Sequence, residues 1–528
     1  MKPESRSAGR RPRDLGWPGF ACLLAALWLT GCAILPPPAG KLPEYAFSDP
    51  EATALGVVAR GATERHVGET GLVLLDTGYQ AFLMRAALIE AAERSIDAQY
   101  YIWNSDLSGG YLARRLILAA DRGVRVRLLL DDINVKGRDD VIAALDRHPN
   151  IEIRIFNPQA VRDGPGKMLG FLSDFRRLNR RMHNKVFVVD GAFGIVGGRN
   201  IGDEYFDLRA DMNHRDRDVL GVGTAVPAMS AAFDPYWNSP WSYPIAVLAP
   251  AAAGGSAAAM QLDQARERAT DTRGFWREPP VDAAAGLTAV EQALRGAVWA
   301  RAEMVFDPPV ADMQEETDRP MRTAQVLHEL VAGTESEIVI ESAYFILGDT
   351  QLDGLAALRS RGVRVSVLTN SLASNDVTAN HAGYARRRAA MLAGGLELHE
   401  LRPDAAACSV WVETPGFCEA GEMSLHAKSG VFDRRVLFIG SFNVNLRSIY
   451  LNGETLLVIH SEELAERVAR DIELGMAPEN SWRIALGAYG TLSWSASGDE
   501  PWRREPETGW WERFKSGLIA SFPLEKYL

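Results

Sequence analysis

The chain has 528 residues, of which 47% are hydrophobic and 24% charged, and it carries a formal net charge of −11. Such a composition is that of a globular protein with room for roughly two to four domains and sizeable cores. The acidic balance argues against a dedicated nucleic-acid binder, whose footprint would be a basic surface.

The chain opens with a basic run, Lys2, Arg6, Arg10, Arg11 and Arg13, followed by an apolar stretch from Phe20 to Leu29. Ten residues are too few to span a bilayer as a mature helix, so the segment reads as an export signal. It ends Leu29-Thr30-Gly31-Cys32, which resembles a bacterial lipoprotein box. The resemblance implies that 1–31 are removed and that Cys32 is acylated. The expected location is the bacterial cell envelope, with the chain lipid-anchored to a membrane and facing the periplasm. Residues 32–70 then form a tether, stiffened by Pro36, Pro37 and Pro38.

A first α/β domain is expected over 71–240. Ser95 to Tyr101 reads as a buried strand leading to Asp106, a helical pattern follows around 110–121, and Arg122-Gly-Val-Arg-Val-Arg-Leu-Leu-Leu reads as the next strand. Then comes His183-Asn-Lys185-Val-Phe-Val-Val-Asp190, continuing through Gly197-Gly198-Arg199-Asn200. Period two puts His183 and Lys185 on one strand face. Asp190-Gly191 reads as a turn and Phe193 to Val196 as the returning strand. The paired glycines remove side chains where backbone approaches a ligand. The segment 241–289 is a linker, marked by Pro250-Ala-Ala-Ala-Gly-Gly-Ser.

A second domain is expected over 290–475, because the first is written again. Ile338 to Tyr344 aligns with Ser95 to Tyr101, and Arg361-Gly-Val-Arg-Val aligns with Arg122-Gly-Val-Arg-Val. His426-Ala-Lys428-Ser-Gly-Val-Phe-Asp433, through Gly440-Ser441-Phe442-Asn443, repeats the hairpin at a constant offset of 243 residues. An internal repeat with four polar spacings in step means two homologous units. Cys408 and Cys418 sit in a loop-like stretch of an exported chain and are expected to form a disulfide. The tail, 476–528, is rich in Trp and either lies on a membrane surface or packs across a domain.

The doubled pattern, His-x-Lys-x4-Asp-x6-Gly-Gly/Ser-x-Asn, resembles the signature of the phospholipase D superfamily. The stretches Arg180-Arg181-Met182-His183, Gly198-Arg199-Asn200-Ile201-Gly202-Asp203-Glu204-Tyr205-Phe206 and Thr369-Asn370-Ser371-Leu372-Ala373-Ser374-Asn375-Asp376 are similar to bacterial cardiolipin synthases of the branch lacking multiple N-terminal membrane spans. The resemblance implies two α/β/α domains related by a pseudo-twofold axis, with one active site between them. It implies a phosphatidyltransferase that makes cardiolipin-type lipids from membrane glycerophospholipids through a phospho-histidine. The alternative is a phosphodiesterase that hydrolyses phospholipids, or a periplasmic nuclease, which fits the charge poorly. No cofactor, metal or nucleic-acid partner is expected.

The chemistry asks for these residue types. A phosphodiester anion repels nucleophiles, so Lys185, Lys428, Asn200 and Asn443 are expected to bind its oxygens. Carried over from the family, His183 is the nucleophile and His426 the general acid and base. Asp190 and Asp433 complete the two motifs and are expected to brace their hairpins. The family orients each His with an acid about thirty positions later. That reading gives Glu454 to His426 and Asp216 to His183, with Asp218 as rival. Arg176, Arg177, Arg180 and Arg181 either hold anionic headgroups or form an exposed helix face. His381 either contacts a headgroup or is structural. Tyr101, Trp103, Tyr344 and Phe345 either wall the cleft or belong to the core.

Overall fold

The computed structural model describes residue 35 and residues 42–527, apart from 136, 163–166, 251–255, 310–318, 497–499 and 523–524. The basic and apolar leader, Cys32 and the three prolines after it lie outside the described residues.

Short β-branched runs become strands wherever both faces can be covered, and here they build two copies of one sheet. Read by hydrogen-bonded neighbours, the first sheet runs Ser242–Pro244, Ile151–Phe156, Arg125–Asp131, Ser95–Tyr100, Val186–Val189, Phe193–Gly197, Asp218–Gly223, Thr70–Leu75. The second repeats that order with Ser481–Leu486, Glu397–Leu401, Arg364–Asn370, Glu337–Ser342, Lys428–Phe432, Val436–Gly440, Thr455–His460 and Val298–Phe306. Strand Val298–Phe306 joins the two. Its first residues pair with Thr70 to Leu72, and Arg301 to Phe306 pair with the second sheet.

Each sheet is buried on both faces. Helices Gly78–Ala91 and Leu107–Asp121 cover the outer face of the first half, over a core that includes Ile96, Leu128, Ile153 and Phe187. The second half buries Ile340, Val367, Leu398 and Phe438 in a corresponding outer core. The two inner faces share one central core, where Val186, Val188 and Val196 belong to the same cluster as Val431, Leu437 and Ile439. Helices Val226–Asn238 and Glu462–Met476 supply Met229, Val468 and Ile472 to it. This is the doubled α/β/α architecture, and its shared core holds the halves face to face.

The pairings correct one alignment. Ala98 lies opposite Phe187, whereas Ile340 lies opposite Gly430, the repeat partner of Phe187. The offset in this strand is therefore 242 residues, not 243. Pairing with the hairpin sets register, and a slip of one residue exchanges sheet faces. Tyr101 thus corresponds to Ala343, and Tyr344 to Ile102. The segment 241–289 is more than a linker, because it contributes the edge strand Ser242–Pro244 and the helix Ser256–Glu267. The expected tether of 32–70 is in part built into the fold, because helix Ala54–Thr63 buries Leu55 in the first core.

Candidate active site

Both hairpins turn through consecutive positive φ values, at Asp190 (52°) with Gly191 (61°) and at Asp433 (49°) with Arg434 (52°). The Asp side chains secure those turns. The Asp190 carboxylate accepts from the backbone N–H groups of Glu93, Arg94 and Ser95 at 2.8–2.9 Å. That of Asp433 accepts from Glu335, Ser336 and Glu337 at 2.7–3.1 Å. These two residues brace the motifs from the end away from the imidazoles.

His183 Nδ1 lies 2.8 Å from Glu454 Oε2, and His426 Nδ1 lies 2.6 Å from Asp216 Oδ2. This reverses the expected pairing, since each imidazole is held by the carboxylate of the other half. The cause is two short parallel ladders that cross between the halves. Arg181–Met182 pairs with Asn452–Gly453, so the next residues, His183 and Glu454, come opposite each other. Met212–Arg215 pairs with Glu422–Leu425, which brings His426 opposite Asp216 in the same way. Sequence distance along one half suggested the wrong partner because the bond is made by register across the interface. Asp218, the rival acid, is instead paired with Arg85 at 2.9 Å.

Packing around the two acids explains the one difference between the motifs. A Cβ at Gly198 would lie 2.1 Å from Asp216 Oδ1, and one at Gly197 would lie 2.1 Å from Asp218 Oδ1. These glycines make room for carboxylates rather than for a ligand. Ser441 stands where Gly198 stands in the first copy, and its hydroxyl donates to Glu454, as does that of Ser448 at 2.7 Å. Behind Asp216, the Arg217 guanidinium bonds Asp76 of the first half at 2.9 Å and Glu341 of the second at 3.1 Å, and it also pairs with Asp471. Removing this buried cation would leave Glu341 with no ion pair among the described residues, at a cost of about 3–5 kcal/mol, while Asp76 and Asp471 would keep Arg467 and Arg215.

All six charge-bearing groups of the centre are buried: His183, Lys185, Asp216, His426, Lys428 and Glu454. Burial lowers the His183 pKa to about 4, with the ammonium groups of Lys185 and Lys428 acting the same way and Glu454 opposing. His426 is pushed well down by burial and by Lys428, against Asp216. Burial works against ionisation of Asp216 and Glu454, but the facing imidazoles and lysines outweigh it and hold both low. At neutral pH the ligand-free site therefore holds two carboxylates and two neutral imidazoles. Each ring donates from Nδ1 and keeps a lone pair on Nε2.

Burial drops Lys185 to about 7, with Lys428 acting the same way and Glu454 opposing, and drops Lys428 to about 8 against Asp216 and Asp376. Lys185 Nζ donates to the His183 carbonyl at 2.6 Å, and Lys428 Nζ donates to that of His426. An ammonium has three donors, so two remain on each for an anion. Asn200 Oδ1 accepts from Ile102 N at 3.2 Å, which points the amide as a donor. Asn443 is buried, and its Oδ1 has no hydrogen-bond partner among the described residues. The arrangement brings two lysines and two amides to a pair of oriented imidazoles, the donor set that a phosphoryl-transfer site needs. Among the described residues no cluster of His, Cys, Asp or Glu is arranged to hold a metal ion.

The wall is half as expected. Tyr101 meets the His183 ring edge-on at 4.9 Å and lies 5.4 Å from Lys185 Nζ. Tyr344 donates to Asp376 at 3.0 Å near the same centre. Trp103 and Phe345 are core residues instead. Of the basic run, Arg181 lies 3.3 Å from Asp131, Arg177 bonds the Asp174 carboxylate, and Arg176 is exposed. His381 lies 3.5 Å from Glu505, within the buried Arg388–Glu400–Glu505 network that holds the tail, so it is structural. Cys408 and Cys418 are bonded, with Cα atoms 5.8 Å apart.

Sequence reasoning missed His214 and Tyr205. The His214 ring is buried 5.4 Å from that of His426, and Tyr205 stands 5.0 Å from both. The available signal was the second His two residues before Asp216.

The family model described as "Cardiolipin synthase, PLD-like domain" matches residues 86–237 and 327–474, the two halves that carry the motifs. The chain belongs to this family. It is 36% identical to Cardiolipin synthase C of Escherichia coli over 87% of its own length and 97% of that protein. An uncharacterized protein of Helicobacter pylori is 29% identical over 90% of this chain and 93% of its own. The crystal structure of phosphatidylserine synthase from Haemophilus influenzae superposes with a TM-score of 0.55 at 14% identity, covering 89% of this chain and all of that one, which shows a shared fold.

Proposed function

We propose that the chain is a phosphatidyltransferase that joins glycerophospholipids into cardiolipin-type products. The observation that carries this reading is the crossed pairing of each imidazole with the other half's carboxylate, which makes the two motifs one catalytic unit. Family membership supplies the substrate class. Lys185, Lys428, Asn200 and Asn443 hold the phosphoryl oxygens. The bound anion raises the affinity of the imidazoles for protons, so that one of them enters the reaction protonated.

His183 Nε2 attacks phosphorus, a P–N bond forms, and the P–O bond to the leaving glycerol breaks. His426 gives its Nε2 proton to that leaving oxygen. The acceptor lipid's hydroxyl then loses its proton to His426 and attacks the phospho-histidine, which restores the P–O bond and frees His183. Asp216 and Glu454 hold the rings and balance the charge each gains.

Further parts of the reading rest on sequence. The leader and its Leu29-Thr30-Gly31-Cys32 box support export, acylation at Cys32 and a periplasm-facing position. The repeat supports two domains near 71–240 and 290–475, each extended by one edge strand, Ser242–Pro244 and Ser481–Leu486.

The deciding experiment supplies phosphatidylglycerol in vesicles to purified protein, with and without a second phospholipid, and follows products by mass spectrometry. Cardiolipin should dominate, with phosphatidic acid minor. Phosphatidic acid dominating under every lipid composition would make the enzyme a phospholipase.

A further inference from the structure

The tail helix Trp510–Ala520 packs one face on helix Thr378–Ala393 and turns its larger side chains away from it. Ser516 is buried on the packed side, whereas Trp510, Trp511, Phe514 and Leu518 are each at least half exposed. Trp511 and Phe514 stack at 5.5 Å, and Trp510 meets Trp511 at 5.4 Å, so the aromatics form one continuous surface. A helix in a water-soluble protein normally does the reverse. Phe522, just beyond the helix, is also more than half exposed.

A second apolar patch, on the first half of the molecule, is linked to the tail through Phe175 and Tyr527. Met168 and Leu172, on helix Lys167–Ser173, are each more than 60% exposed. The Phe175 ring meets that of Tyr527 at 5.4 Å, which joins this region to the end of the tail. Arg447 connects the seam to the active site. Its guanidinium donates to the Tyr527 carbonyl at 3.2 Å and to Asn179 at 2.9 Å, and its charge acts on Tyr101, the ring against His183.

We propose that the faces of helices 167–173 and 510–520 together are the surface by which this enzyme seats on a lipid bilayer, with the active-site opening beside it. The occupant is a bilayer for two reasons beyond exposure. The surface mixes Trp, Phe and Tyr with cationic groups, including exposed Lys515 and Arg176, in a chain whose overall charge is negative. That combination suits the interface of an anionic membrane. The site it adjoins also acts on lipids that reside there. No described helix is long and apolar enough to cross a membrane. The seating thus supplies what an N-terminal anchor on a tether does not, namely a fixed orientation of the cleft.

The proposal rests on the phospholipid-transferase reading, and the test separates the two. Full-length protein is assayed on phosphatidylglycerol in two forms, vesicles with phosphatidylcholine and a short-chain monomer below its micelle concentration. Two variants are compared with wild type, Trp511→Ser/Phe514→Ser/Leu518→Ser and Met168→Ser/Leu172→Ser. An N-terminal anchor would hold every variant at the vesicle, so the readout is the ratio of vesicle to monomer turnover. That ratio should fall roughly tenfold or more, about the effect of one lost interfacial side chain, while monomer turnover is unchanged. Tryptophan quenching by acyl-brominated phosphatidylcholine should weaken in Trp510→Phe/Trp511→Phe.

An unchanged ratio with unchanged quenching would overturn the proposal. So would equal loss on both substrates, which marks a merely structural face. Sedimentation showing a wild-type dimer and a monomeric variant, with vesicle turnover intact, would assign the face to a second copy. If wild type turned over neither lipid, the transferase reading would fail, and quenching would still decide the docking.

Discussion

Glu454→Gln is the sharpest perturbation of the crossed pairing. When His183 attacks phosphorus through Nε2, its ring gains positive charge, and the carboxylate 2.8 Å from Nδ1 stabilises that charge. Two unit charges about 4 Å apart interact by about 4 kcal/mol at an effective dielectric constant near 20. Glutamine keeps the shape and removes the charge, so the attack should slow about a thousandfold. The effect should fall on one step. In a single turnover with acyl-labelled phosphatidylglycerol, quenched in detergent at neutral pH because a phospho-histidine is acid-labile, Glu454→Gln should build labelled protein slowly. Asp216→Asn should impair the proton transfers of His426 instead. Circular dichroism will show the fold intact, since Ser441 and Ser448 still meet the side chain. A rate within tenfold of wild type would refute the argument. So would loss of labelling at His183 in Asp216→Asn but not in Glu454→Gln, which would restore pairing within each half.

Other expectations follow from the same geometry. His183→Ala and His426→Ala should each lower turnover by about a thousandfold or more, and the double variant should be little worse, because the pair acts as a unit; steady-state rates of all three decide it. With Lys185 near 7 and Lys428 near 8, kcat/KM should fall as pH rises through 7–8. The sign for stability is opposite. From those values up to the unperturbed 10.5 the unfolded chain holds more protons, so these two groups make unfolding harder as pH rises. A rate profile flat up to the ordinary lysine range would remove the charge-binding role, and urea unfolding across the same window tests the second half. Replacing Cys408 and Cys418 by Ser should cost about 3 kcal/mol for so short a loop. Non-reducing peptide mapping that recovers both as free thiols would rule the bridge out.

Much of this protein was legible in one dimension. The doubled His-x-Lys-x4-Asp pattern announced two like halves. The alternation of apolar strand runs with helical stretches announced the parallel strands of each sheet, Ser95–Tyr100 with Arg125–Asp131 and Ile151–Phe156 in the first. The hairpin and edge strands that flank them pair antiparallel, so the sheets are mixed. Asp190 and Asp433 were legible as braces from their place at the turns, although the backbone groups they hold come from strands distant in sequence. The cysteine pair was legible because it is local, at a separation of 10 residues.

What sequence could not reach was whatever depends on register between the halves. Counting residues assigned Asp216 to His183 and Glu454 to His426, and the two crossing ladders exchange them. Counting also kept Tyr101 and Tyr344 equivalent, whereas pairing with the hairpin shifts that strand by one residue. Gly198 and Ser441 share one place in the pattern, and only the two acids beside them explain the difference, one needing space and the other a hydroxyl. Local propensity and spacing are properties of a segment and survive in the string. The partner of a buried imidazole is chosen by how two sheets dock, and that is decided only when their shared core forms.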